Sequence, residues 1–581
     1  MAVIKLTGFM GEAPRVTPRL LPDRSAQSAV AVRLEDGELS PFRKPFLVED
    51  LSGLLATSIE TIYLHQGDWL YWDTVVNAAP GPVAQDRLYF TGDGVPKMTV
   101  AGVTYDLKVT APTVELTATP VGAVGSLYDT RIYVYTFVTD FGEESEPSPL
   151  SIGVDVSPGQ TVTLSGFSAA PGGRNITKQR IYRSQTGGSQ TTRLYFVGER
   201  AASVLDYSDT VNVTDFAEPL PSADFNPPPD ELTGLTTMPN GIMVGFVGRD
   251  LYFCEPFIPH AWPQKYVLTA DYEIVALAAQ GTSLIVGTTG HPYVVNGTAP
   301  ETMVMDKMEL NLPCLSARGM VDLGYASAYP SHDGLVVVQG GVPRIITAEL
   351  FTRDQWRMMN PDTMVAAQFY GRYFCSYEYT DADGITIAGT VLIDLSGASP
   401  FVIRSQYKAD CMFYELATGS LFMGIGESIY EWDSPQSVND VFTWKSKVFV
   451  MPAPTSFGAI LFEADQPNDD GASAEALAAA NAAIQAANQA IIAAGTLFGS
   501  LGSHMINEYP ANGDSLVGVQ QSAVSVNVYA DREFVATVTT PGVMQRLPGG
   551  KMAREWEIEV TGTVNVQEVT MAGTGRELRG A

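Results

Sequence analysis

The chain is poor in cysteine, histidine and positive charge. It has four cysteines (Cys254, Cys314, Cys375 and Cys411), five histidines, and 35 Lys and Arg against 64 Asp and Glu. No cysteine lies in a Cys-x-x-Cys pair, and the spacings match no zinc pattern. The expectation is four reduced, buried thiols in a protein folded in a cytoplasm. His65, His260, His291, His332 and His504 are scattered, with no pair at metal-ligand spacing. His260 and His291 each adjoin a proline and read as turn or packing residues. Gly-x-x-x-x-Gly-Lys, His-Glu-x-x-His and Gly-x-Ser-x-Gly are all missing. The expectation is therefore no enzyme, no cofactor and no metal site. The net charge of −29 argues against a protein that grips nucleic-acid phosphates. It leaves open an acidic wall past which DNA slides, although from charge alone plain solubility is the simpler reading. Signal-peptide character is missing from Met1–Lys5 onward, and there is no run of about 18 apolar residues, so no ordinary membrane span is expected.

What is present points to strands. The chain has 581 residues, enough for roughly two to four domains. Hydrophobic residues make up 45% and charged ones only 17%, with 54 Gly and 37 Pro, a strand-and-turn composition. The stretch 235–462 alternates turn signals with short apolar runs. The turns are Pro239-Asn240-Gly241, Gly248-Arg249-Asp250, Thr289-Gly290, Asp333-Gly334, Asp383-Gly384 and Gly424-Ile425-Gly426. The runs include Ile242–Val247, Leu251–Cys254, Ser283–Val286, Tyr293–Val295, Leu335–Val338, Tyr373–Tyr377, Ile385–Ile393 and Ser420–Met423. Such runs predict antiparallel meanders, hence a propeller, barrel or sandwich. Trp262, Tyr293, Trp356, Tyr414, Trp432 and Trp444 read as core packing rather than a sugar-binding surface. Asp381-Ala382-Asp383-Gly384 lacks the distal Glu of a calcium loop and reads as a hairpin turn.

In chain order, residues 1–50 are an extended, proline-punctuated arm carrying Arg15, Arg19, Arg24, Arg33, Arg43 and Lys44. It could dock on an acidic neighbour or wrap on its own domain. Residues 51–110 hold strand signals at Thr61–Leu64, Trp69–Trp72 and Arg87–Phe90, the first part of a propeller. Residues 111–222 resemble a fibronectin or immunoglobulin-like sandwich, with strand runs Ile132–Thr139, Arg180–Ser184 and Leu194–Val197. Within it, Glu143, Glu144 and Glu146 read as a solvated loop, a cation site being the alternative. Pro219, Pro221 and Pro227–Pro229 mark a stiff linker before the main blades at 223–462. Residues 463–520 are an Ala-rich helical insertion, and 521–581 return to strands that could close the propeller by pairing with early ones.

The helix predicted over 473–498 sets Leu477, Ile484, Ile491 and Phe498 at intervals of seven, with Ala480, Ala487 and Ala494 between them. This is an a/d heptad with small residues at d, and no charged residue occurs from Ala476 to Asn507. Burial against a partner helix, packing on the chain's own sheet and contact with a membrane all remain open. Asn481, Gln485, Asn488 and Gln489 count against the last.

Several motifs resemble one family. Met238–Met243, Phe246-Val247-Gly248, Glu255-Pro256-Phe257 and Pro259-His260-Ala261-Trp262-Pro263 look like tail proteins of short-tailed phages and related prophages. So do Leu350–Trp356, Tyr430-Glu431-Trp432-Asp433 and Thr443–Lys447. The layout is similar to the tail tubular protein B, or nozzle, group. That resemblance implies a β-propeller assembled as a homohexameric ring below portal and adaptor, with tail fibres as neighbours. It also implies a virion tail location, passage and retention of double-stranded DNA without sequence-specific binding, and no catalytic residues. The heptad residues would then be oligomer or gate contacts near the channel exit. The competing expectation is a receptor-binding tail protein that recognises host surface glycans.

Overall fold

The computed structural model describes residues 3–53, 58–186, 192–211, 218–380, 386–395, 400–465 and 524–579, together with Ala486. The chain is mainly β. Among the described residues the α-helices longer than an isolated position are Arg353–Met358 and Gly575–Leu578. Two compact units are present: Met1–Leu54 with Asp333–Leu335 and Ile345–Ala581, and Leu55–His332 with Val336–Arg344.

The second unit contains three complete four-stranded antiparallel meanders. The first runs Asn77–Pro80, Arg87–Gly92, Gly94–Val100 and Val103–Asp106; the next runs Thr233–Met238, Ile242–Val247, Asp250–Phe253 and Leu268–Thr269. The third runs Ile274–Gln280, Ser283–Thr288, Tyr293–Asn296 and Val304–Lys307. A further four-stranded sheet, Val321–Asp322, Ser327–Ser331, Gly334–Gln339 and Val342–Ile345, follows in chain order. The leading strands of successive meanders lie side by side, as blades of a propeller do. Tyr89, Met98, Met243, Cys254 and Trp262 fill the space between the first two meanders, and Ile242, Val244, Leu284 and Val286 that between the next two. The turns form where the sequence supplies left-handed backbone: Asn240 stands at φ 64°, between Thr233–Met238 and Ile242–Val247.

Between the first and second meanders the chain builds a sandwich. One sheet is Thr117–Val121, Thr161–Ser165 and Tyr207–Asp209; another is Tyr133–Thr139, Ile176–Thr186 and Thr192–Ala201. Tyr133, Tyr135, Phe137, Val162, Leu164 and Ile181 fill the space between them. Tyr133–Thr139 is buried on both faces along its whole length. A run with no polar alternation is what two-sided burial demands.

In the first unit, Cys411–Glu415, Ser420–Ile425 and Ser428–Glu431 form a meander completed by Phe46–Asp50 from the start of the chain. A ten-stranded sheet follows the order Val365–Phe369, Arg372–Thr380, Thr386–Asp394, Phe401–Ser405, Ala26–Val30, Phe442–Ser446, Ala553–Gly562, Val524–Ala530 and Glu533–Val538. Phe449–Thr455 is the tenth strand and also pairs with Ala553–Gly562. Val524–Ala530 alternates strictly, burying Val524, Val526, Val528 and Ala530. Val566–Ala572 does pair with an early strand, Val3–Leu6, in a separate four-stranded sheet. The strand that fills a blade-like meander is instead Phe46–Asp50. Helix Arg353–Met358 starts at a capping box, Thr352 with Gln355, and buries Trp356.

Candidate functional site

The heptad residues Leu477, Ala480, Ile484, Ala487, Ile491, Ala494 and Phe498 lie outside the described residues, as do His504 and the turn Asp381–Gly384. The structure concentrates charge elsewhere. A buried cluster surrounds Glu143 and Glu144, in the stretch read from sequence as a solvated loop.

Local hydrogen bonds fold that stretch back on its strand. Thr139 N donates to Glu143 O at 2.9 Å and Gly142 N to Thr139 O at 3.0 Å. Gly142 takes φ 79°, a conformation that favours glycine. Both glutamates are thereby set beneath the surface, at 7% and 4% exposure. Glu143 Oε1 accepts from Arg87 Nη1 at 3.2 Å, and Oε2 accepts from Arg174 and from Thr139 Oγ1 at 3.2 Å. Glu144 Oε1 accepts from Thr136 Oγ1 and Tyr182 Oη, each at 2.7 Å, and Oε2 from Arg180 Nη1 at 2.9 Å. Burial and the Glu144 charge push the Tyr182 phenol well above its ordinary range. Glu146 accepts from Asn226 Nδ2 at 2.5 Å, and burial raises its carboxyl.

The cluster ties the sandwich to its neighbouring meanders. Arg87 opens strand Arg87–Gly92, and its guanidinium also stacks over the Phe141 ring at 5.0 Å. His260 Nε2 lies 3.0 Å from the Glu144 carbonyl oxygen. Because a carbonyl only accepts, that nitrogen carries the proton. Burial depresses the imidazole to about 4, so His260 is neutral at pH 7. It is the packing residue the sequence suggested.

Beyond the turn the chain runs alongside Tyr133–Thr139 with a three-residue period. The backbone N–H groups of Ser145, Ser148 and Ser151 donate to the carbonyls of Phe137, Tyr135 and Tyr133. Their hydroxyls accept from the N–H groups of the same three residues, at 3.0, 3.2 and 2.8 Å. Pro147 and Pro149 keep this segment extended, and three residues per turn is the polyproline II repeat. The strand edge is thus covered without a conventional ladder. The signal was in the sequence, as serine at every third position among prolines, and charge density masked it.

Chemically, both carboxylates are engaged at each oxygen by guanidinium or hydroxyl donors. Among the described residues no group of three or more His, Cys, Asp or Glu could hold a metal. The four cysteines are buried, with the thiols of Cys254, Cys314 and Cys375 pushed up to about 12 by burial. No described helix is long and apolar enough to cross a membrane. Trp262, Trp356, Trp432 and Trp444 are buried core residues.

The basic arm is wrapped on its own unit. Arg19 pairs with Glu555, Arg15 donates to the Ala348 carbonyl, and Arg33 Nη2 lies 3.5 Å from Asp433. Its anchor is acidic. Glu12, 4% exposed, exchanges backbone hydrogen bonds with Val402, accepts from Ala29 N at 2.8 Å and binds Arg404 Nε at 2.9 Å. Arg404 continues to Tyr377 Oη at 3.2 Å. Burial raises the Glu12 carboxyl, and Arg404 opposes that rise.

No protein-family model and no curated protein matches this chain. Among solved structures, an inactive virginiamycin B lyase from Staphylococcus aureus with quinupristin is 8% identical, with a TM-score of 0.20. That alignment covers 57% of this chain and 97% of the lyase. PorZ, a surface component of the type-IX secretion system of Porphyromonas gingivalis, is 9% identical with a TM-score of 0.22, over 90% of this chain and 82% of PorZ. The extracellular domain of a putative one-component system from B. thetaiotaomicron is 8% identical with a TM-score of 0.22, over 93% and 62%. The chain itself is a mainly β protein of many sheets.

Proposed function

We propose that this chain is a structural tail protein of a short-tailed phage or prophage, made in the host cytoplasm and built into the virion tail. It acts as a nozzle: a homo-oligomeric ring, six copies in the family it resembles, that conducts and retains double-stranded DNA. Adaptor or portal-side proteins and tail fibres are its neighbours. One observation carries this reading, the motif set from Met238–Met243 through Pro259–Pro263 and Leu350–Trp356 to Thr443–Lys447. Those residues occupy turns and core positions, including left-handed Asn240 and buried Trp262, Trp356 and Trp444. Such positions set architecture, and an architectural role needs no catalytic group. The net charge of −29 supports the reading further, since a wall that repels phosphates lets a duplex pass without sticking. The heptad Leu477–Phe498 supplies the oligomer or gate contacts in this proposal.

The test is the mass of the purified full chain in solution with negative-stain images of what forms. Six-fold rings with a central hole are expected. A trimer that binds host glycans overturns the nozzle reading and supports a receptor-binding tail protein. In assembled particles, Ile484→Asp with Ile491→Asp should release DNA early; normal retention removes the gate from the proposal.

A further inference from the structure

We propose that the buried cluster around Arg174 binds a monovalent inorganic anion, chloride under ordinary conditions. The charge count comes first. Arg87, Arg174 and Glu143 are 12%, 3% and 7% exposed at their side chains, and two positive groups share one carboxylate. Glu144 does not redress the balance, because Arg180 already pairs with it, and Glu199 is matched by Lys178. His260, which faces Glu143, Arg174, Arg87, the Glu144 carbonyl and the Phe225 ring, carries no charge at neutral pH. One positive charge is left over in this largely buried group, and charges removed from water are stable only when paired.

The donors agree with the count. Arg174 gives Nη2 to Glu143, while its Nε and Nη1, both buried, have no acceptor. The Tyr89 hydroxyl is buried beside Arg87, Arg174 and Glu143 and likewise has no acceptor for its proton. Guanidinium N–H groups and a phenol O–H, with an excess positive charge, are the chemistry that holds a halide. Water would engage the same donors and could donate to His260 Nδ1, whose lone pair also lacks a partner. Being neutral, water would leave the excess charge unanswered.

The experiment uses the full chain at constant ionic strength. Chloride is titrated against gluconate, a much bulkier anion, while the melting temperature is followed. A saturable rise is expected for the wild type and its loss in Arg174→Met. Tyr89→Phe keeps the Arg174–Glu143 pair intact and should raise the half-saturating chloride concentration about fivefold, as for one lost hydrogen bond. Crystals grown in bromide should show an anomalous peak within hydrogen-bond reach of Arg174, a readout that needs no variant. Equal melting in chloride and gluconate, an undiminished chloride response in Tyr89→Phe, or ordered water only at Arg174 would each overturn the proposal.

Discussion

Two stretches of this chain carry dense charge of opposite sign, the basic N-terminal segment and the acidic turn after Tyr133–Thr139. Both are fastened by a buried glutamate. Glu12 anchors the basic segment and Glu143 with Glu144 the acidic one. They differ in completeness. At Glu12, one carboxylate meets one guanidinium, a backbone N–H takes the second oxygen, and Tyr377 takes the far side of Arg404. At Glu143, two guanidiniums share one carboxylate and buried donors are left over. The lesson is that the net charge of a stretch does not say which of its side chains faces water. What decides is whether a neighbouring strand offers donors at the right place.

This comparison is open to direct attack. Removing the shared carboxylate should do most damage. Glu143→Ala strands buried Arg174 and part-buried Arg87 and should cost about 3–5 kcal/mol by urea unfolding. Glu12→Ala strands only Arg404, which keeps Tyr377, and should cost about 3 kcal/mol or less. A larger loss at Glu12 would reverse the ranking.

The two sites should also respond to acid with opposite signs. His260 is depressed to about 4 from an ordinary 6.5, so in that window the unfolded chain binds more protons. Its contribution is present above about pH 6.5 and lost as pH falls toward about 4, on the order of 3 kcal/mol. His260→Gln, which keeps an N–H for the Glu144 carbonyl, should flatten that loss in unfolding measured across the window. Glu12 is raised by burial, so the folded chain holds its proton more tightly, and protonation there favours the folded state as pH falls. Glu12→Gln should remove that opposing contribution.

Smaller effects sharpen the picture. Ser148→Ala leaves the buried Tyr135 N–H without its hydroxyl acceptor and should cost about 1–2 kcal/mol in thermal unfolding. Lys265→Ala breaks an ion pair with Asp224 that lies 54% and 63% exposed, and should change stability by no more than about 0.5 kcal/mol.

Much of the strand pattern was legible in sequence. Ile242–Val247 is a strand with the bounds its apolar run predicts, and Pro239-Asn240-Gly241 turns where its residues require. The sandwich strands Ile176–Thr186 and Thr192–Ala201 contain their predicted runs, and Tyr133–Thr139 starts one residue inside the run predicted from Ile132. Pairings across hundreds of residues were not legible, because Phe46–Asp50 against Ser428–Glu431 leaves no local trace. The acidic turn was misread for a different reason. Three glutamates within four positions look solvated until Thr136, Tyr182, Arg87, Arg174 and Arg180 are known to converge on them. The one available clue was Ser145, Ser148 and Ser151 beside a strand with no polar face.

Hydrogen–deuterium exchange of the full chain at pH 7 tests most directly whether these stretches are docked. Peptides covering residues 133–151 and 9–16 should exchange slowly, with amides of Tyr133, Tyr135, Phe137 and Glu12 protected like those of the adjoining strands. Exchange of both peptides at the rate of an unstructured chain would contradict the buried-glutamate account.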